Sequence, residues 1–186
     1  MDFQQGLITT IHDYGHSGSG ADGLRLGLRR RPTSLLIPCL MEEFERPALE
    51  LIREVLRDLD GLQELVVALS AGSVEEVRAA EAFFEDMPFP VRIHWTNGPA
   101  VKELLQSLGR HNLQVSGPPG KGWAVWQGLG VASRNAEVIG LFDADIRTFS
   151  PAYPQRMLAP LMDPSHGVAY VKAFYSRLAL ESRALQ

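Results

Sequence analysis

The sequence predicts an α/β fold with a mostly parallel sheet and helices on both of its faces. Three observations carry this. From residue 34 onward, short apolar runs alternate with amphipathic segments, and strands buried on both faces need covering helices. The joins carry helix-start and helix-stop residues. The apolar runs end in polar or glycine-containing turns, where open α/β sheets hold their ligands.

Residues 1–14 read as a short amphipathic helix, with Phe3, Leu7 and Ile11 on one stripe. Residues 15–20 (GHSGSG) have the composition of a flexible linker, or of a mobile loop over a site. Residues 34–39 (SLLIPC) form the first predicted strand. Pro47 opens a helix running to about Leu59, with Leu51, Val55 and Leu59 on one face and Asp60-Gly61 as its stop. Residues 64–70 (ELVVALS) are the second strand. Ser73 caps the next helix, with Glu76 completing a capping box. That helix turns Val77, Ala80, Phe83 and Phe84 inward and stops before Pro88.

Residues 91–96 (VRIHWT) alternate as a third strand, and residues 101–108 form a short helix. Residues 115–121 (VSGPPGK) are a loop leading into a helix over 122–133, with Trp123, Trp126 and Val131 among its apolar positions. Residues 137–142 (EVIGLF) are the fourth strand, followed at once by Asp143-Ala144-Asp145. A helix over 153–161 and a fifth strand over 168–174 (VAYVKAF) follow; that strand could also join the sheet antiparallel. The order is that of a parallel sheet with crossover helices. The sequence ends inside what reads as a new helix with no Gly or Pro stop, as expected of a piece of a longer chain.

Composition narrows the function. Hydrophobic residues make up 45% and charged residues 22% of the 186, an ordinary globular mix. The net charge of -4 argues against binding nucleic acid by phosphate neutralisation. One cysteine, Cys39, excludes an internal disulfide and a cysteine-based zinc site. No apolar stretch nears the ~20 residues of a membrane span. The first residues lack the basic start and apolar run of a secretion signal. The expected location is cytoplasmic.

The candidate site is the acidic turn. Asp143 and Asp145 leave an apolar strand that needs no acidic residue. Two carboxylates one residue apart on such a turn can grip a hydrated divalent cation. Mg²⁺ and Mn²⁺ prefer oxygen ligands, and Mg²⁺ often takes one or two carboxylates plus substrate phosphates. The D-x-D pattern alone is weak: Asp58-Leu59-Asp60 has the same spacing at a helix end, where a solvated terminus is expected. What distinguishes Asp143/Asp145 is the strand before them and Gly120-Lys121-Gly122 upstream. A Gly-rich turn entering a helix presents N–H groups to an anion, and Lys121 adds a point charge for a phosphate.

Residues 38–43 (PCLMEE) end the first strand, where backbone can hydrogen-bond a base and Glu42 a ribose hydroxyl. Ser70 occupies the corresponding place on the second strand. The histidines are less informative. His94 reads as structural, and His12, His16, His111 and His166 lack ligand spacing. Cys39, Trp123 and Trp126 read as core.

Pro38-x-Leu40-x-Glu42-Glu43, residues 119–126 (PGKGWAVW), Asp143-Ala144-Asp145 and residues 171–175 (VKAFY) together resemble the glucosyl-3-phosphoglycerate synthases, retaining glycosyltransferases of the GT-A fold. The resemblance spans roughly residues 34–177 and concerns the N-terminal part of those enzymes. It implies two regions, an N-terminal helix and linker over 1–33 and a nucleotide-sugar-binding domain over 34–186. It implies transfer of glucose, or a related hexose, from a nucleoside-diphosphate sugar such as UDP- or GDP-glucose to 3-phosphoglycerate or a similar small hydroxy acid. The expected cofactor is Mg²⁺ or Mn²⁺, and a homodimer is compatible with the family.

By residue, the resemblance assigns Pro38, Cys39, Leu40 and Glu42 to the nucleotide pocket, and Ser70 and Lys121 to nucleotide contacts. Asp143 and Ala144 fall to the ribose and diphosphate, and Asp145 to the metal. It assigns no catalytic nucleophile. The sequence departs from the family at Met41, often Asp, and at Leu69, where many GT-A enzymes are acidic. Two other readings stay open: a non-catalytic donor-binding fragment, and a sugar-nucleotide pyrophosphorylase. The latter usually carries its Gly-rich loop just after the first strand, where this chain has Met41-Glu42-Glu43-Phe44-Glu45.

Overall fold

The computed structural model describes residues 20–111, 117 and 120–173. The helix expected over 1–14 lies outside the described residues, as does the linker save Gly20. Strands β1 (Thr33–Leu40), β2 (Glu64–Ser70), β3 (Val91–Trp95) and β4 (Val138–Leu141) form one sheet in the order β3-β2-β1-β4. All three pairings are parallel. The expected α/β class and parallel sheet are therefore present.

Helices cover both faces, and strand alternation decides which residues meet which. Leu35, Ile37 and Cys39 of β1, with Leu65, Val67 and Leu69 of β2, face the larger core. There they meet α1 (Gly20–Arg30) through Leu24 and Leu28, and α2 (Pro47–Arg57) through Leu49, Ile52 and Leu56. Helix α3 (Val74–Phe83) adds Ala80, and α6 (Ala152–Met162) adds Leu158 and Met162. On the opposite face Leu36, Val66 and Ala68 pack against Ala124 and Ala132 of α5 (Lys121–Ala132). Helix α4 (Pro99–Arg110) buries none of its residues among those described.

Several local expectations hold. Pro47 occupies the first turn of α2, where its missing N–H has no intrahelical partner to lose. Ser73 accepts a hydrogen bond from the Glu76 N–H. The returning Glu76 carboxylate accepts from Gly72 N–H at 2.7 Å rather than from the cap residue itself. Ala80 and Phe84 are buried, with Val77 and Phe83 packed against the same core.

Other expectations are corrected. The buried stripe of α2 is Ala48, Leu49, Ile52 and Leu56, with Leu51 and Val55 only partly covered. That stripe repeats at four-residue spacing and includes the larger wholly buried side chains, so it wins the core-facing side. The fifth strand is absent from residues 168–173, where the chain is irregular and Tyr170 is exposed; Phe174 lies outside the described residues. An apolar alternating run forms a strand only when a neighbouring edge pairs with it. Helix α1 has no counterpart in the sequence reading, because its Gly-rich start resembles the linker before it. Its last turn is tied down by Arg29, which donates to Asp60 at 2.7 Å. Arg31, just beyond it, bonds Glu137 and the Leu161 carbonyl.

Candidate functional site

The sheet reverses its strand order at β1: β2 and β3 lie to one side and β4 to the other. In open α/β sheets the ligand crevice forms beyond the carboxyl ends of strands at such a switch point. The register shows how the crevice opens. Strand β1 pairs with β2 up to Leu40↔Ser70, but with β4 only up to Leu36↔Leu141. One further bond, Phe142 N–H to Leu36 O, closes the β4 side. Residues that point their backbone to β4 alternate, so Leu36 is followed by Pro38 and then Leu40. Pro38 carries no N–H, and it stands where β4 no longer needs a donor. The carbonyl of Pro38 and the N–H of Leu40 thus face the crevice.

The acidic turn hangs on the far wall of this crevice. Phe142 and Ala144 are buried and anchor it in the core, while Asp143 is half-buried and Asp145 exposed. Alternation across the turn therefore aims the two carboxylates outward. Lys121 sits at the first position of α5, and its Nζ lies 2.6 Å from Asp143 Oδ1. The side chains of Lys121 and Asp143 are 59% and 44% exposed, so this is a solvent-screened pair. Asp145 has no hydrogen-bond or ion-pair partner among the described residues.

Gly120 enters α5 at φ +144°, a conformation that side chains disfavour, and caps the helix. Helix α5 is held at this height by small residues and one buried amide. Gly128 lies so close to β1 that a Cβ there would meet Leu36 Cδ1 at 2.4 Å. Gln127 donates to Thr96 O at 3.2 Å and accepts from His94 Nε2 at 2.9 Å. The amide orientation sets the histidine as an Nε2–H donor. Thr96 in turn donates to Leu69 O at 3.0 Å. This buried chain fixes α5, and so Lys121, to the ends of β2 and β3. Sequence reading missed Gln127, although a lone amide amid Trp-Ala-Val-Trp and Gly-Leu-Gly was the available signal.

The remaining predicted residues gather at the same end of the sheet. Ser70 is half-buried as the last residue of β2, beside Leu40, which is exposed. The segment after Ser70 is pinned by Asn97, whose amide both accepts from Ala71 N–H and donates to Ala71 O. Glu42 is exposed in a 3-10 turn (Met41–Glu45), while Glu43 turns inward and pairs with Arg46 at 2.7 Å. Cys39 is buried, as expected, and its thiol donates to Leu40 O. Burial first, and the Glu43 carboxylate second, push that thiol's pKa up to about 12.

Three histidine expectations fall on described backbone: His94 is structural, His111 is exposed and His166 lies in a 3-10 turn (Pro164–His166). His12 and His16 lie outside the described residues. The tryptophan expectation is corrected. Trp123 and Trp126 stack face to face at 5.0 Å, but Trp126 is 55% exposed. The inward face of α5 takes Ala124, Gln127, Gly128 and Ala132 instead, because close approach to the sheet leaves no room for indoles. Asp60 behaves as the sequence control required: it serves an ion pair with Arg29, whose hydrogen bond and charge hold its carboxyl below the usual range.

Among the described residues no cluster of three His, Cys, Asp or Glu stands ready to hold a metal. The donor set at the turn is two carboxylates, one of them without a partner among the described residues. It suits an oxygen-seeking cation whose shell is completed by water and phosphate, not a soft transition metal. Among the described residues no helix is long and apolar enough to cross a membrane.

Comparison with known proteins agrees with the fold. No family model matches the chain. The glucosyl-3-phosphoglycerate synthase of Methanococcoides burtonii is 32% identical over 189 residues, which span all of this chain and 46% of that protein. The enzyme of the same name from Persephonella marina is 32% identical over 180 residues, spanning 95% of this chain and 44% of that protein. The chain thus spans a little under half the length of these curated relatives. Among solved structures, glucosyl-3-phosphoglycerate synthase from Mycobacterium tuberculosis, in complex with Mn²⁺, UDP and glucosyl-3-phosphoglycerate, superposes with a TM-score of 0.52 at 22% identity. That match covers 82% of this chain and 46% of the other, and at this identity it speaks to the fold. The chain is glucosyl-3-phosphoglycerate synthase-like in sequence, matching part of the length of those enzymes, and it carries an α/β sheet of the GT-A type.

Proposed function

We propose that the chain is the sugar-donor lobe of a metal-dependent, retaining hexosyltransferase. It would move glucose, or a related hexose, from a nucleoside-diphosphate sugar to 3-phosphoglycerate or a similar small hydroxy acid. One observation carries the reading: Lys121 at the start of α5 meets Asp143 at 2.6 Å beside the exposed Asp145, at the switch point of a parallel sheet. A charged pair of this kind matches a diphosphate and its cation. The names of the relatives, and the Mn²⁺, Mg²⁺, UDP and phosphoglyceric acid in the complexes of the M. tuberculosis enzyme, support the same chemistry.

On this reading the base lies along Pro38, Cys39 and Leu40, hydrogen-bonded by the backbone at the crevice edge. Cys39 contributes backbone and packing, since its thiol is buried. Glu42 and Ser70 flank the ribose from the ends of β1 and β2. Lys121 and the α5 start take the phosphates, and Asp143 with Ala144 borders the ribose and diphosphate. Asp145 would hold Mg²⁺ or Mn²⁺, which when bound neutralises charge on the departing diphosphate. The chain's own share is positioning and electrostatics.

The 3-10 turn after β1 contains no glycine, which disfavours the pyrophosphorylase alternative. A donor-binding module without transfer is distinguished by incubating the chain with radiolabelled nucleotide sugar and 3-phosphoglycerate: glycosylated product supports transfer, pyrophosphate exchange the pyrophosphorylase, and binding alone the module. The donor site is tested by Asp145→Ala. The substitution is expected to abolish most Mg²⁺-dependent affinity for the nucleotide sugar in calorimetry. Unchanged affinity with Mg²⁺ present refutes the site.

A further inference from the structure

We infer that the turn after β3, Trp95–Gly98, is the positioning device of the donor site. It sets the nucleoside side at Ser70 and the phosphate side at Lys121 relative to one another, with Asn97 and Gln127 as its two arms. The inference rests on the donor-site reading and gives a role to residues that touch no ligand in it.

The turn is itself stiff. Gly98 N–H closes it onto Trp95 O at 3.1 Å, and a Cβ on Gly98 would stand 2.6 Å from Trp95 Cδ2. Toward β2 the turn grips both neighbours of Ser70. The N–H and the hydroxyl of Thr96 donate to Leu69 O at 2.9 and 3.0 Å. Asn97 accepts from Ala71 N–H at 3.1 Å and donates to Ala71 O at 2.9 Å. Trp95 Nε1–H donates to the same carbonyl at 2.9 Å. Ser70 is thus fixed through the residues before and after it, and none of these bonds uses its hydroxyl.

Toward α5, Thr96 O receives the Gln127 amide at 3.2 Å, while Gln127 Oε1 accepts from His94 Nε2 at 2.9 Å. Gln127 is 8% exposed, so water does not stand in for these partners. Lys121 lies six residues earlier, about 9 Å along the helix. A tilt that moves the helix start by about 1 Å takes a charge-assisted hydrogen bond from Lys121 out of range. The two arms therefore act on different parts of one ligand. Asn97 acts through Ser70 on the nucleoside, and Gln127 acts through Lys121 on the phosphates. A loss of stability alone lowers the folded fraction and weakens nucleoside and diphosphate by the same factor. The ratio of the two affinities therefore reports position.

The test uses the full chain at one Mg²⁺ concentration, with calorimetry for UDP and GDP and amide NMR shifts for uridine and guanosine. The base that binds more tightly is carried through the variants. Gln127→Met is expected to weaken the diphosphate about threefold to tenfold, the size of one hydrogen bond, and to leave the nucleoside unchanged. Asn97→Ala is expected to weaken both by one factor in that range. Neither substitution should add to the loss once its target is gone: Gln127→Met on Lys121→Gln, and Asn97→Ala on Ser70→Ala. Urea melts establish that each variant is folded under the binding conditions. Gln127→Asn, which keeps the amide but is one methylene short of its two partners, replaces Gln127→Met if that variant unfolds. If Gln127→Met weakens nucleoside and diphosphate alike, or if either substitution leaves diphosphate affinity unchanged, the positioning role is overturned and the donor site stands. The same holds if either loss persists in full with its target removed, or if wild type binds diphosphate with no detectable nucleoside binding. If wild type binds neither diphosphate, the inference and the donor-site reading fail together.

Discussion

Two glycines of α5, two residues apart, should respond to alanine with opposite signs. In a helix interior, Gly→Ala is worth about 1 kcal/mol of stabilisation from backbone entropy alone. At Gly130 a new Cβ meets nothing within 4 Å, so that gain should be realised, giving roughly 0.5–1 kcal/mol. At Gly128 the Cβ would lie 2.4 Å from Leu36 Cδ1 and 3.3 Å from Ala68 Cβ. Leu36 and Ala68 are both 0% exposed, so the Leu36 methyl has no open space to enter and the Ala68 methyl cannot rotate away. Overpacking of this kind costs about 1–3 kcal/mol. Net of the propensity gain, Gly128→Ala should destabilise by up to about 2 kcal/mol. The two variants should thus differ by about 1–3 kcal/mol, or on the order of 1 M in urea midpoint for a small protein. Urea unfolding of both variants, followed by circular dichroism, checks this. A Gly128→Ala protein as stable as Gly130→Ala would refute the claim that α5 is seated by close approach to β1 and β2.

Other expectations concern groups around the same sheet. Cys39 should resist thiol reagents in the native protein at neutral pH and react freely once unfolded. Its folded pKa of about 12 exceeds the ordinary value of 9.0, so its contribution to stability is complete below pH 9 and disappears as pH rises towards 12. Cys39→Ala should therefore flatten that part of the alkaline limb of a stability–pH profile, and an unaltered limb would contradict the assignment. Glu64 is 3% exposed and is paired by Arg92 Nε at 3.0 Å, with Asn135 Nδ2 at 3.3 Å. Arg92→Ala should leave a buried carboxylate with only the amide and cost about 1–2 kcal/mol, less than a fully buried pair because Arg92 is half exposed. A loss below ~0.5 kcal/mol in urea unfolding, the level of an ordinary surface substitution, would show that Asn135 and solvent suffice.

Much of the fold was legible because strands β1, β2 and β4 are unbroken apolar runs and the joins carry their own punctuation. Pro47 at a helix start, Ser73 at a cap and Asp143 two residues after β4 each announce a local structure through short-range chemistry. The acidic turn could be singled out from Asp58-Leu59-Asp60 by the strand before it, and in the structure it does follow β4, whereas Asp58 and Asp60 follow helix α2.

The tertiary structure decided what depends on partners distant in sequence. Residues 168–173 have the pattern of a strand but no edge to pair with among the described residues. Trp123 and Trp126 are apolar at helical spacing, yet the sheet's nearness reserves the inner face of α5 for Ala124, Gln127, Gly128 and Ala132. The meeting of Lys121 with Asp143 joins residues 22 apart, and it exists only because α5 begins at the edge of the sheet where β4 ends. Local propensity and burial pattern are properties of a segment and can be read along the chain. Register and the pairing of charges distant in sequence are properties of packing, and they come into being only when the segments are assembled.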